Sequence, residues 1–221
     1  VNEVISYSFP VSARVGVLAV IFALILGLFM GTVAALNQGK WQDSTSMIIA
    51  TLGVTVPNFV MATFFIYLFA VKLRWFPAVG LDSPSGYVLP SVALGAYSMS
   101  FIARLSRSSL LEVIRQDYIK VAKAKGLSER KIIYKHALKN SLIPIITYIG
   151  PLFAAILTGS FVIENLFGIP GLGREFVQSI YNRDYTTILG VTIFYSTFLI
   201  ICNLIVDILY VIIDPRIKLE S

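Results

Sequence analysis

Apolar residues run through this chain in five blocks, separated by segments where polar and charged residues gather. Residues 15–36, 47–71, 88–103, 141–163 and 187–213 read as helices crossing the roughly 30 Å hydrocarbon layer of a bilayer. Inside that layer backbone groups must find partners within their own segment, which favours helices. The pattern therefore predicts an all-α membrane protein with five transmembrane helices. In the first block Ala19, Ala23, Gly27, Gly31 and Ala35 recur every four residues, a small-residue face suited to close helix–helix contact. Residues 1–12 read as a mixed lead-in that Pro10 ends. Pro57 predicts a kink midway along the second block. The third block is short, and Ser91, Gly95, Ser98 and Ser100 suit it to face protein or water rather than lipid.

The intervening segments divide by charge. Ten of the chain's 18 Lys and Arg residues fall in 104–140 against three acids, so that segment carries +7, more than the +6 of the whole chain. Basic loops favour the cytoplasmic side. With 104–140 inside, the loop 37–46 and the tail are inside too, and 13 basic residues lie inside against five outside. This orientation puts Val1 outside and leads us to expect one further span upstream. The outside segments include 72–87, with Trp75 and Phe76 suited to the membrane interface, and 164–186. In 164–186, Pro170-Gly171 predicts a type II turn and 174–181 a short amphipathic helix.

Residues 104–140 read as two helices joined at a glycine. Leu110, Ile114, Tyr118 and Val121 recur at helical spacing and predict one apolar face. Gly126 suits the position after a helix end, and Ser128 with Glu129 suits the start of the next helix. Ile132, Ile133, Ala137 and Leu138 give that second helix an apolar face. A knob built this way can lie on anionic headgroups, stand free as a solvated loop, or dock as a helix in a partner's groove. The residues alone leave these three open.

Composition narrows the function classes. The chain is 57% hydrophobic and 14% charged, which leaves no sizeable soluble domain. Positive-inside bias accounts for its basicity, so nucleic acid is not read as a partner. Cys202 is the single cysteine and has no intrachain partner. No GxxxxGK[ST] and no HExxH occurs, and nothing supports a catalytic or a metal site. His136, the one histidine, reads as a helix-face residue. Three polar residues stand as pathway or gating candidates. Asn58 follows the kink proline, Glu164 lies at the external mouth, and Asp207 is deep in the last block, one turn after Asn203. For each, a structural role as anchor or tolerated polar group remains an equal alternative.

The stretch DYIKVAKAKGLSERKIIYKHALKNSLIPII resembles the EAA loop of permease subunits of binding-protein-dependent ABC importers. Lys120-Val121-Ala122 occupies the Glu-Ala-Ala position, Gly126 the glycine and Leu138 the leucine. Lys120 replaces the acid, and Lys139 stands where the first proline belongs. Both departures resemble the peptide and nickel branch, the oligopeptide/dipeptide permease B-type. Glu164, Phe167, Pro170-Gly171-Leu172-Gly173 and Asn182-Arg183-Asp184-Tyr185 resemble that branch's external loop. Asn203, Val206-Asp207, Tyr210 and Asp214-Pro215-Arg216 resemble its last span and tail.

This resemblance implies a type I ABC importer transmembrane domain over 1–221, with 104–140 holding a cytoplasmic EAA coupling helix. It implies an inner-membrane permease of a bacterial or archaeal cell, multi-pass, with 104–140 and the C-terminus cytoplasmic. The chain would form half of the translocation pathway for dipeptides or oligopeptides, or alternatively for nickel complexes or another small solute. A stand-alone secondary transporter or channel is the rival from another class. The implied partners are a second, related permease subunit, two cytoplasmic ATP-binding subunits and an external substrate-binding protein, within the lipid bilayer. The chain itself would be non-catalytic and bind no cofactor, with ATP and Mg used by the partner ATPases. The ATPase-coupling residues would be Asp117, Tyr118, Lys120, Val121, Ala122, Lys125, Gly126, Leu127, Ser128, Glu129 and Arg130.

Overall fold

The computed structural model describes the backbone of residues 1–157 and 160–213, and their side chains apart from those of 154, 206, 207 and 209–213. The expected polar tail at 216–221 lies outside the described residues. Every regular element among those described is helical. In order they are α1 (Asn2–Leu36), α2 (Trp41–Thr55), α3 (Asn58–Phe65), α4 (Val88–Ile114), α5 (Asp117–Ala124), α6 (Glu129–Lys131), α7 (Leu138–Ser141), α8 (Ile143–Leu157), α9 (Phe161–Leu166), α10 (Leu172–Tyr181) and α11 (Tyr185–Ile213). π-Helical turns continue α3 over Ile66–Lys72 and join α6 to α7 over Ile132–Ala137. Two compact units are formed, one from Val1–Ile21, Pro57–Gly95 and Gly150–Ser221, the other from Phe22–Val56 and Ala96–Ile149.

Three helices, α1, α4 with its leading turn, and α11, are long and apolar enough to cross a membrane. Two broken pairs pass only if each is one span: α2 with α3 and its continuation, and α6–α7 with α8. The second block is not one kinked helix. Val56 and Pro57 are both extended, with ψ of 123° and 142°, so α2 stops and α3 starts afresh at Asn58. Proline forces this, because it lacks an N–H and pushes the residue before it out of the helical region. Pro10, by contrast, does not end a lead-in; α1 runs through it. The first turns are pinned by Phe9, packed edge-on against Phe194 and Phe198, and by Ser12, which is fully buried.

Burial sorts the long helices. Of the most apolar window, 61% is buried in α4 but only 6% in α11. The serines of α4 explain the contrast: Ser91, Ser98, Ser100 and Ser106 are all buried against protein, as the third block's composition predicts. The small-residue face of α1 packs on α4. A Cβ at Gly27 would meet the Met99 carbonyl oxygen and Ile102 at 2.8 Å, and one at Gly31 would strike the Ala103 carbonyl oxygen and Ser106. Ala35, at the end of that face, packs into a cluster with Leu110, Val113, Ile119, Ile132 and Ala137. Asp184 caps α11, where its carboxylate accepts from the Thr187 N–H and hydroxyl.

Because backbone stands directly over Gly31, overpacking is expected to cost about 1–3 kcal/mol. Gly31→Ala should lower the melting temperature of the purified protein by several degrees, and Gly31→Leu should prevent stable accumulation in the membrane. Ile25→Ala, on the exposed side of α1, should leave both unchanged.

Candidate functional site

The basic knob is built on α4. That helix ends at Ile114; Arg115 and Gln116 turn the chain, and α5 restarts at Asp117. This restart shifts the apolar face. Leu110 is buried and Ile114 half-buried, but Tyr118 and Val121, expected on the same face, are 38% and 52% exposed. Ile119, at 1% exposure, takes the inward position instead, in the cluster with Leu110, Val113, Ile132 and Ala137. Two turn residues between the helices break the 3.6-residue register that a continuous helix would keep.

The C-terminus of α5 closes as a Schellman motif. Gly126 N–H donates to the Lys123 carbonyl oxygen at 2.9 Å, and Leu127 N–H to the Ala122 oxygen at 3.3 Å. Gly126 has φ of +75° with nothing within 4 Å of where a Cβ would stand. Ala122 and Leu127 pack against the apolar cluster, the hydrophobic contact that accompanies this motif. Ser128 occupies the cap position of the next helix, but its hydroxyl makes no capping bond; its carbonyl oxygen accepts from Ile132 N–H at 3.0 Å. The inward face of that helix is the expected one, with Ile132 and Ala137 buried and Ile133 and Leu138 half-buried. Asn140 donates to the Tyr118 hydroxyl at 2.8 Å. His136 is half-buried in the π-helical turn.

Of the eleven residues singled out for coupling, Asp117, Tyr118, Lys120, Val121, Lys125, Gly126, Ser128, Glu129 and Arg130 are exposed. Ala122 and Leu127 face the cluster. The surface so formed carries an exposed tyrosine and valine among lysines. Its one ion pair, Lys120 to Asp117 at 2.8 Å, is open to solvent and adds little rigidity.

One pair was not visible in the sequence. Arg107 on α4 donates from Nε and Nη2 to the two carboxylate oxygens of Asp43 on α2, at 2.6 and 2.7 Å. Gly39 N–H donates to Oδ2 of the same carboxylate at 3.0 Å. Asp43 is 6% exposed although it lies in a segment read as a short polar loop. The only sequence signal was an acid and an arginine each near the end of an apolar block.

The pathway candidates separate. Asn58 is half-buried in the first turn of α3. Asp207 lies in α11, with its side chain outside the described residues. Glu164 is not in a loop but in α9, packed against α3, and is 3% exposed. The Ser12 hydroxyl donates to its Oε1 at 2.7 Å and Arg174 N–H to its Oε2 at 2.8 Å, while Leu172 N–H donates to Ser12 Oγ at 2.9 Å. The carboxylate thus holds the positive end of α10 against α1, an anchoring geometry. Gly171 is extended, with φ of −93° and ψ of 168°, so the expected type II turn at Pro170-Gly171 does not form. Glycine is needed there for room, since a Cβ would strike the Glu164 carboxylate; the left-handed glycine is Gly168, at φ +62°. Among the described residues no three His, Cys, Asp or Glu side chains come together to hold a metal ion.

Burial pushes the Glu164 carboxyl above the usual range, against the hydrogen bonds from Ser12, Arg174 and Gly173, which pull it down. A carboxyl raised in the folded state binds its proton more tightly there than when unfolded. Its stabilising contribution is complete below the ordinary carboxyl pKa and is lost as pH rises through the raised value. Thermal melts should therefore show wild type losing stability across that window relative to Glu164→Gln, whose side chain does not titrate. Glu164→Ala leaves buried donors unpaired and should cost about 1–3 kcal/mol at every pH.

Comparison with known proteins places this geometry. Residues 9–219 match the family model described as the binding-protein-dependent transport system inner membrane component. The dipeptide transport system permease protein DppB of Bacillus subtilis is 53% identical over all of this chain and 72% of its own length. The oligopeptide transport system permease protein OppB of Haemophilus influenzae is 47% identical over 99% of this chain and 72% of its own. Among solved structures, an amino acid ABC transporter superposes with a TM-score of 0.73 at 16% identity, over 94% of this chain and 93% of that one. The inward-facing MetNI methionine ABC transporter gives 0.70 at 18% identity, over 93% and 96%. The helical architecture is that of type I ABC importer transmembrane domains, and the chain belongs to the family of binding-protein-dependent transport system inner membrane components.

Proposed function

We propose that this chain is a peptide-importing permease subunit, forming half of a translocation pathway that ATP hydrolysis in separate subunits drives. In this reading it binds no cofactor and does no chemistry itself. It works with a second, related permease subunit, two cytoplasmic ATPases that use ATP and Mg, and an external binding protein that delivers peptide. The similarity to dipeptide and oligopeptide permeases over the whole chain supports the substrate class. The charge distribution supports an orientation with 104–140 and the C-terminus in the cytoplasm.

The observation that carries the mechanism is the form of α5. A helix read as a lever must be rigid, reachable by a partner and joined to the spans. α5 ends in a closed Schellman motif, exposes Tyr118, Val121 and Lys125, and is pinned by Ile119 beneath the end of α4. Its exposed apolar residues suit a helix laid in a groove of an ATPase subunit. Force applied there passes through Leu110 and Val113 into a 27-residue helix that is mostly buried.

Residue 126 tests the lever. Its left-handed conformation costs an L-residue about 1–2 kcal/mol, which is a factor of about 5 to 30 in the population of the correct elbow. Labelled dipeptide uptake into cells should rank wild type, then Gly126→Asn, then Gly126→Ala, then Gly126→Val, because asparagine tolerates this region best among L-residues and a β-branched side chain worst. A flat ranking, or failure of any ATPase subunit to co-purify from detergent, overturns the coupling role.

A further inference from the structure

The Asp43–Arg107 pair lies in the compact unit that also carries α5. It joins the first turn of α2 to α4 about two turns before α4 ends. α2 touches α4 again at Gly53, where a Cβ would strike Ser100 Oγ and stand 3.1 Å from the Ala96 carbonyl oxygen. From Asp43 to Gly53 is about 15 Å of helix at about 1.5 Å per residue. The two contacts differ in kind. The Gly53 contact is close packing of backbone against Ala96 and Ser100, in which the buried Ser100 hydroxyl makes no hydrogen bond and nothing fixes direction. At Asp43 two parallel N–H···O bonds at 2.6 and 2.7 Å fix distance and direction together. The third acceptor contact, from Gly39 N–H, extends the hold to the turn that joins α1 to α2. Gly39 itself has φ of +77°. α1 is already seated on α4 one turn away, through Gly31 against Ala103 and Ser106.

We infer that Asp43 and Arg107 are positioning residues for energy coupling: their pair locks α2 to α4, so that a displacement of α5 moves both helices as one body. This rests on the importer reading above and adds the element that transmits the stroke sideways. Without the pair, α4 still follows α5 through Leu110, Val113 and Ile119, but α2 keeps undirected packing such as that at Gly53 and lags behind. ATP would then be hydrolysed with the second helix left behind.

The test separates coupling from folding. The complete importer, with its ATPases and binding protein, is reconstituted in liposomes. Accumulation of a mixture of radiolabelled di- to pentapeptides and ATP hydrolysis are measured on the same samples, with Asp43→Asn, Arg107→Gln, Arg107→Lys and the exchanged double variant Asp43→Arg with Arg107→Asp. Peptide taken up per ATP hydrolysed should fall tenfold or more in Asp43→Asn and Arg107→Gln, while hydrolysis stimulated by the loaded binding protein stays within about twofold of wild type. Arg107→Lys, which keeps the charge but loses the fork, should be intermediate, and the exchange should recover part of the ratio. Should the exchanged variant not assemble, the ratio in the single variants decides. If uptake and hydrolysis fall together, following the amount of assembled complex, the pair is only structural and the proposal is overturned. A ratio unchanged in every variant overturns it equally. Wild type without binding-protein-stimulated hydrolysis would overturn the importer reading, and this inference with it; coupled wild type with coupled variants overturns the inference alone.

Discussion

Where α1 crosses α4, two glycines let the backbone of α1 rest against carbonyl oxygens and the Ile102 and Ser106 side chains of α4. Met99 and Ala103 present carbonyl oxygens to Gly27 and Gly31 at distances that no Cβ tolerates. In a membrane, apolar side chains gain little by leaving lipid for protein, so close backbone approach and dispersion must hold helices together. The rest of the fold follows from that seam. It fixes the height at which Ala35 reaches Leu110 and Val113, hence where the apolar cluster beneath α5 can form. It also leaves α4 largely buried, with its serines against protein, while only 6% of the most apolar window of α11 is buried.

A consequence is that the charged features do not hold the fold together by number. The basic segment 104–140 carries most of the chain's positive charge, yet its lysines are exposed and its ion pair between Lys120 and Asp117 is weak. Only two acids are buried among the described residues, Asp43 and Glu164, and both have their carboxylates saturated by donors from separate parts of the chain. Each stands at one helix terminus: Asp43 in the first turn of α2, Glu164 facing the amides that open α10. Buried carboxylates are kept where a terminus supplies partial positive charge and free N–H groups.

How much of this was legible in the sequence depended on the range of the signal. Local periodicity gave the helices, the small-residue face of α1, the inward face of Ile132 and Ala137, and the left-handed glycine at 126. Local chemistry misled where two causes produce the same residue. Gly171 looked like a turn glycine but is there to leave space for Glu164. Pro10 reads as ending a segment and Pro57 as kinking one helix, yet Pro10 sits inside a helix and Pro57 divides two. The face of α5 was misplaced because a two-residue break resets the helical phase, and no residue type at 115 and 116 announces it. The Asp43–Arg107 pair spans 64 positions, and a single sequence carries no record of which acid meets which arginine. Charge and periodicity alone left three fates open for the exposed strip of α5, and only its likeness to the EAA-loop pattern points to one of them.

Gly126 shows what kind of constraint the joint after a helix end can impose. The space around it is empty, so the position is indifferent to size, and any groove that receives α5 would feel the path of the chain there rather than the residue. What the joint demands is a handedness. A D-alanine has its preferred conformations mirrored and would satisfy that demand as fully as glycine, whereas L-alanine, with the same atoms, opposes it. Glycine is thus present at this elbow as the one encoded residue without a hand.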